Sequence, residues 1–143
     1  MFKVNLTTDV LEKISRDVRR PHERIGLLIG KMEDDGLWIS DIVPAANENN
    51  STSCVFPTRK LAKVADDILN GRVAGKIVGW YHSHPGLGVF MSDTDNDTHY
   101  KLLQFSPYVV AMVVDPSTDE FGIWVNDSAA GIVQLPADYL RIV

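Results

Sequence analysis

The chain has 143 residues, 45% of them hydrophobic and 23% charged, with a formal charge of −5; that length and balance suit one globular domain with a sizeable core, expected to span residues 1–143. No apolar run approaches the length of a membrane span, and no Lys/Arg cluster supplies the concentrated positive charge that nucleic acid requires, so both are excluded as partners. The one cysteine, Cys54, rules out an intrachain disulfide, and Met1 to Leu6 lacks the apolar core of a signal peptide, which makes the cytoplasm the expected location.

After an extended start at Phe2 to Leu6, Asp9 with Glu12 three residues later predicts a capping-box helix start. Val10, Leu11, Ile14 and Val18 make its buried stripe, and Pro21 closes it. Glu23 to Lys31 is mostly apolar and reads as a buried strand with Glu23 at its entrance. On position alone, that glutamate is a solvated loop residue beside Arg24. Glu33-Asp34-Asp35-Gly36 predicts a turn into a second strand, Leu37 to Val43, as a hairpin. The Asn-rich stretch from Pro44 to Ser53 reads as loop or ragged edge strand. Pro57 is expected to open a second helix whose apolar face is Leu61, Val64, Ala65, Ile68 and Leu69, ended by Gly71. Cys54, a lone cysteine among apolar neighbours, is more simply a small buried hydrophobe than a nucleophile served by His22 or His99.

Gly75 to Tyr81 predicts a short buried strand that delivers His82 and His84. These histidines are two residues apart, so on extended backbone both imidazoles point to one side and form a two-ligand metal clip. Pro85, Gly86 and Gly88 end the strand just after the second histidine. At Ser92 the pattern changes to a polar helix start, with Asp93, Asp95 and Asp97 near its positive end, and Asp95 is placed to face back toward the histidines. Two imidazoles and one carboxylate leave the fourth position of a tetrahedral zinc ion open to water, which is the ligand set of a catalytic zinc. A plainer reading stands beside this one: Ser92 with Asp95 three residues on is also a variant capping box. Calcium is rejected, because the loop that begins at Asp93 has Thr98 where Gly is needed and Gln104 where a bidentate Glu belongs.

The helix from Ser92 is expected to reach about Gln104, with Tyr100 and Leu103 inward. His99, one turn after Asp95, is left to a surface or supporting role because three ligands complete the set. Tyr108 to Val114 reads as a central strand, Asp115 to Asp119 as a turn, Phe121 to Val125 and Ile132 to Leu135 as further strands, and Pro136 to Val143 as a short helix or tail. Helices interspersed with buried strands predict an α/β or α+β sheet flanked by helices.

Three stretches together resemble the JAMM (MPN+) zinc metalloprotease family. His82-Ser83-His84-Pro85, the loop Gly86 to Met91, and Ser92-Asp93-Thr94-Asp95 match its His-x-His-Pro and Ser-x-x-Asp elements, and Glu23-Arg24-Ile25-Gly26-Leu27-Leu28-Ile29-Gly30 matches its upstream glutamate segment. Gly79 to Gly86 and Val113-Val114-Asp115-Pro116 place the likeness nearest the proteasome-lid deubiquitinase branch and its compact archaeal homologues. The resemblance implies the MPN fold, a curved mixed sheet related to cytidine deaminases. It further implies that His82, His84 and Asp95 hold zinc, that Glu23 is the general base for a zinc-activated water, and that Ser92 steadies the oxyanion. The implied activity is isopeptide hydrolysis between the C-terminal glycine of ubiquitin or a ubiquitin-like protein and a substrate lysine, with ubiquitin conjugates and the proteasome as partners. Leu87, Val89 and Phe90 are then contacts for the substrate tail, or simply loop packing. Trimming of a sulfur-carrier precursor by the same chemistry, and a noncatalytic MPN scaffold, are the alternatives. Deamination is not, since the His-x-Glu and Pro-Cys-x-x-Cys elements it needs are absent.

Overall fold

Short apolar runs, continuously buried along the central strands, give one mixed sheet of eight strands, described by a computed structural model at residues 1–45, 58–104 and 106–143. Chain order is β1 (Val4–Leu6), α1 (Thr8–Val18), β2 (Ile25–Glu33), β3 (Gly36–Pro44), α2 (Thr58–Leu69), β4 (Lys76–Ser83), α3 (Asp93–Leu102), β5 (Val110–Asp115), β6 (Glu120–Asp127), β7 (Gly131–Gln134), a 3-10 turn (Ala137–Tyr139) and β8 (Leu140–Ile142). The sheet runs β7-β6-β5-β4-β2-β3-β1-β8, with β4 parallel to β5 and β1 parallel to both β3 and β8. The expected α+β architecture is what forms. Helix α1 contributes Val10, Ile14 and Val18 to the core on one face; α2 and α3 contribute Val64 and Leu102 to the core on the other.

That two-faced arrangement fixes which side the chemistry lies on. Along β4, Trp80 belongs to the α2/α3 face while its neighbour Tyr81 belongs to the α1 face, so His82 and His84, in step with Trp80, emerge on the side of α3. Tyr81 in turn crosses the ladder to lie over Gly26, its register partner, where a Cβ would stand 2.3 Å from the ring. Its hydroxyl donates to Asp17 Oδ2 at 2.7 Å, and Asp17 Oδ1 accepts from Arg24 Nη2 at 2.9 Å. Burial, then the bond to Asp17, pushes the Tyr81 phenol far up, so it remains a donor throughout the physiological range.

Several local expectations are corrected. Helix α1 is capped by Thr7, whose side chain accepts from Val10 N, because the strand ends at Leu6 and leaves Thr7 at the corner, two residues before the expected Asp9 start. On α2, Leu61, Val64 and Ile68 turn inward, while Ala65 is exposed and Leu69 is 85% exposed. Pro57 and Cys54, and most of the expected loop from Pro44 to Ser53, fall outside the described residues. On α3 His99 and Leu102 are buried and Leu103 packs against the same core as expected, whereas Tyr100 is 55% exposed. The C-terminal stretch is a strand: Arg141 Nε donates to the fully buried Asn5 Oδ1 at 2.7 Å, and Val143 N donates to Leu6 O at 3.0 Å.

Candidate metal centre

His82 is register partner to Ile25 at the end of the β2/β4 ladder, and the parallel neighbour β5 continues past it, with His84 N donating to Val114 O at 2.8 Å. Both imidazoles are therefore carried by backbone held on two sides. Asp95 comes from the first turn of α3, where Ser92 is the N-cap. The Ser92 hydroxyl accepts from Asp95 N at 3.1 Å, and Asp95 Oδ2 accepts from Ser92 N at 2.9 Å. The capping box is thus real, and it does not compete with the metal reading: the bonds that cap the helix also aim the carboxylate.

The three ligand atoms form a nearly equilateral triangle. His82 Nε2 to Asp95 Oδ2 is 2.9 Å, His84 Nε2 to Asp95 Oδ2 is 3.1 Å, and His82 Nε2 to His84 Nε2 is 3.1 Å, with all three residues buried. Atoms about 2.0–2.1 Å from a tetrahedral zinc stand about 3.3 Å from one another, so the triangle is within a few tenths of an ångström of what the ion requires. The donor chemistry fits as well. His84 Nδ1 lies 3.3 Å from Gly88 O, the backbone acceptor that fixes the tautomer leaving Nε2 free to coordinate. Burial opposes charge at all three groups. At Asp95 the bonds to His82 and His84 outweigh it and hold the carboxyl well below the usual range; at His84 the Asp95 bond likewise prevails and raises the pKa, whereas at the more deeply buried His82 burial wins and lowers it.

Glu23 stands at the same strand end. Ser83 N donates to Arg24 O at 2.9 Å, which sets Arg24 opposite Ser83 and leaves Glu23, the residue before it, at the strand end that carries the histidines. Its charge favours protonation of both imidazoles, after burial and Asp95 have had their larger effects. The residue before it, His22, has φ 70, so the chain turns sharply away just upstream and β2 cannot extend through Glu23. Ser92 is half-buried, and its hydroxyl oxygen accepts from Asp95 N, a bond that does not use the hydroxyl proton.

Two supporting arrangements have no signature in hydrophobic periodicity. Trp80 stacks on His82 with centroids 4.5 Å apart and an interplanar angle of 11°, and its indole N–H donates to His99 Nδ1 at 3.0 Å, tying the His82 strand to the Asp95 helix. Asp115, at the end of β5, accepts from the amides of Gly86 and Gly88, each at 3.0 Å, and from Ser117 N and Oγ at 2.9 and 2.6 Å. Those contacts, the Ser117 hydroxyl foremost, hold its carboxyl down at about 2. The same bonds fix the Gly86–Gly88 turn whose carbonyl meets His84. In sequence, Asp115 to Asp119 reads as a turn, and Asp115 also falls in the run that carries the family likeness, but neither assigns it this role. On the loop itself, Leu87 is 61% and Phe90 45% exposed, while Val89 and Met91 pack against the α2/α3 core. A separate groove of about 650 Å³, lined by Met32, Ile68, Leu69 and Tyr108 with Lys31 and Lys76 among others, lies at the opposite end of β2 and β4 and includes no His, Cys, Asp or Glu in its lining.

His99 is fully buried, and burial pushes its pKa down to about 4. The unfolded ring titrates near 6.5, so as pH falls from about 6.5 to about 4 the unfolded chain takes up a proton that the native ring refuses, and stability falls by on the order of 3 kcal/mol. Urea unfolding of the chelated protein across that range, compared with His99→Asn, is expected to show a shallower loss in the variant. Parallel curves would contradict it.

Comparison with known proteins gives a consistent picture. Residues 1–108 match the family model described as JAB1/Mov34/MPN/PAD-1 ubiquitin protease. Over 102 residues, 71% of this chain and 30% of the relative, the chain is 37% identical to a protein of Theionarchaea archaeon (strain DG-70-1) named NAD(+) hydrolase TcpA. It is 38% identical over 113 residues to the 26S proteasome regulatory subunit rpn11 of Schizosaccharomyces pombe, and 34% identical over 111 residues to the ubiquitin carboxyl-terminal hydrolase RPN11 of Saccharomyces cerevisiae; each match covers 76% of this chain and 36% of the relative. The chain thus spans about a third of the length of these curated relatives. The solution structure of protein DSY2949 from Desulfitobacterium hafniense superposes with a TM-score of 0.67 at 23% identity, covering 98% of this chain and 91% of that one, a likeness of fold.

Proposed function

Because this chain belongs to the JAB1/Mov34/MPN/PAD-1 family, we propose that it is a zinc-dependent isopeptidase acting on ubiquitin or a ubiquitin-like modifier joined through its C-terminal glycine to a lysine. The observation that carries this reading is the convergence of His82 Nε2, His84 Nε2 and Asp95 Oδ2 to within 2.9–3.1 Å of one another at the strand end where Glu23 also arrives.

Amide hydrolysis has three demands: a better nucleophile than neutral water, stabilisation of the oxyanion, and a proton for the departing amine. His82, His84 and Asp95 would hold a zinc ion, which when bound would supply the Lewis acidity that lowers the pKa of water and polarises a carbonyl. Glu23 takes the proton that water gives up as its oxygen bonds to the carbonyl carbon, and returns that proton to the lysine nitrogen as the carbon–nitrogen bond breaks. The second water proton is lost as the new carboxyl group ionises and is taken up by the amine, so the products are a glycine carboxylate and a lysine ammonium. Ser92 donates its uncommitted hydroxyl proton to the developing oxyanion, a contribution of about 2–4 kcal/mol by analogy with other oxyanion donors. The exposed side chains of Leu87 and Phe90, on a turn pinned by Asp115, border the approach to the site and suit an extended glycine-ended tail.

Purified protein is expected to carry one zinc per chain and to cleave a lysine-linked ubiquitin-like conjugate, losing both properties on chelation and regaining both when zinc is restored. Faster cleavage of a C-terminally extended modifier than of the lysine conjugate would assign it to precursor trimming. A metal-free, inactive protein would assign it to a scaffold and end the proposal. NAD+ offered in the same assay tests whether the activity in the archaeal relative's name extends to this chain.

A further inference from the structure

At the mouth of the site the β2/β4 ladder departs from the regular pattern. A hydrogen-bonded antiparallel pair exchanges two backbone bonds, each N–H going to the other residue's carbonyl. Between Arg24 and Ser83 one of these is ordinary, Ser83 N to Arg24 O at 2.9 Å. The other is replaced: Arg24 N donates to Ser83 Oγ at 2.8 Å. Ser83 is fully buried, so no water competes for that bond. Arg24 is gripped at its far end as well, by Nη2 to Asp17 Oδ1 at 2.9 Å and Nε to the same oxygen at 3.3 Å, on a carboxylate held from its other side by Tyr81.

We propose that Ser83 is a positioning residue for Glu23: its hydroxyl, by capturing the Arg24 amide, fixes the backbone on which Glu23 projects toward the His82/His84/Asp95 triangle. This rests on the hydrolase reading above. Ser83 lies between the two histidines in sequence, but its side chain points to the opposite face of β4 and does not join the triangle. Upstream of Glu23 the chain turns at His22, so the Arg24 bonds are the nearest downstream hold on the glutamate. A general base must be in hydrogen-bond reach of the proton it takes, and displacement by about 1 Å can cost about 10²-fold in rate. Removing the Ser83 hydroxyl frees the Arg24 amide and lets Glu23 drift, while both histidine ligands keep their own supports.

The test compares Ser83→Ala and Ser83→Thr with the wild type. In the alanine variant kcat should fall about 10–100-fold with KM within about two-fold and one zinc retained, and threonine, which restores the hydroxyl on a strand that favours it, should recover most of the loss. A purely structural defect would not divide kcat from KM, spare the zinc and yield to threonine together. Independently of any activity, amide hydrogen exchange at Arg24 should quicken about ten-fold or more in Ser83→Ala while Ile25 remains protected. Unchanged kcat, zinc lost in step with activity, no recovery by threonine, or unaltered Arg24 exchange would each overturn the proposal. If the zinc-loaded wild type cleaves nothing, the hydrolase reading fails, and the exchange measurement still decides whether the Ser83 hydroxyl holds Arg24.

Discussion

Glu23→Gln is expected to lower isopeptide cleavage by about 10²–10⁴-fold while the protein keeps its full complement of zinc. Glutamine has the shape of glutamate but cannot take a proton, so the change removes the base and little else. Zinc should stay because Glu23 lies outside the triangle of His82, His84 and Asp95. The electrostatics point the same way. Beyond burial and Asp95, the Glu23 charge favours protonation of both imidazoles, and a protonated imidazole cannot bind metal, so neutralising residue 23 does not weaken the ligands on that account. Single-turnover cleavage of a linked substrate, with zinc measured in the same sample, checks both halves. Wild-type turnover by the variant would remove Glu23 from the reaction.

The centre is legible in sequence for a geometric reason. Period-two alternation of a strand turns His82-x-His84 into a pair of rings on one side, and a helix start at Ser92 faces Asp95 back at them. What escapes periodicity is the support. Helix α3 buries Asp95, His99 and Leu102, spaced at i, i+4 and i+7, so its inward stripe is mostly polar. Apolar spacing finds Leu103, which does pack inward, but selects Tyr100 as well, because most of the buried face carries the polar groups that serve the site. Trp80 reads as an ordinary core residue, and only its contacts with His82 and His99 reveal the link between strand and helix. Leu140 to Ile142 is too short to carry an alternation, and its strand conformation comes from β1, through Asn5 and Leu6. Thr7 is chosen as cap over Asp9 by where β1 stops, a tertiary fact absent from the local pattern.

Glu23 illustrates the converse. Nothing local distinguishes it from a solvated loop glutamate; only the family pattern singled it out, and long-range pairing of residues 24 and 83 sets the strand end at which it stands. Ser83 and Asp115 belong to the same class. Each uses a side-chain oxygen to hold backbone amides far along the chain, Arg24 for one and Gly86 with Gly88 for the other. Such bonds shape the site from both edges of β4 without altering hydrophobic patterning, so a sequence reading passes over them.

Asp95→Asn should empty the centre and abolish activity together. Asp95 Oδ2 meets both Nε2 atoms and Ser92 N, so one oxygen both caps α3 and completes the triangle. Asparagine can still accept from the Ser92 amide with its carbonyl, which leaves the helix start largely intact, but it brings no negative charge and is a much poorer zinc ligand. After dialysis against a mild chelator, the wild type should retain its zinc and the variant less than about a tenth of an equivalent, with cleavage reduced by about 10³-fold or more. Thermal unfolding adds an independent reading, because a ligand that binds only the native state raises stability by RT ln(1 + [L]/Kd). Adding a strong chelator should therefore lower the melting temperature of the wild type by several degrees and leave that of the variant where it was. Equimolar zinc in Asp95→Asn, or a chelator response equal to that of the wild type, would show that the ion is held elsewhere and that the triangle is a hydrogen-bonded cluster.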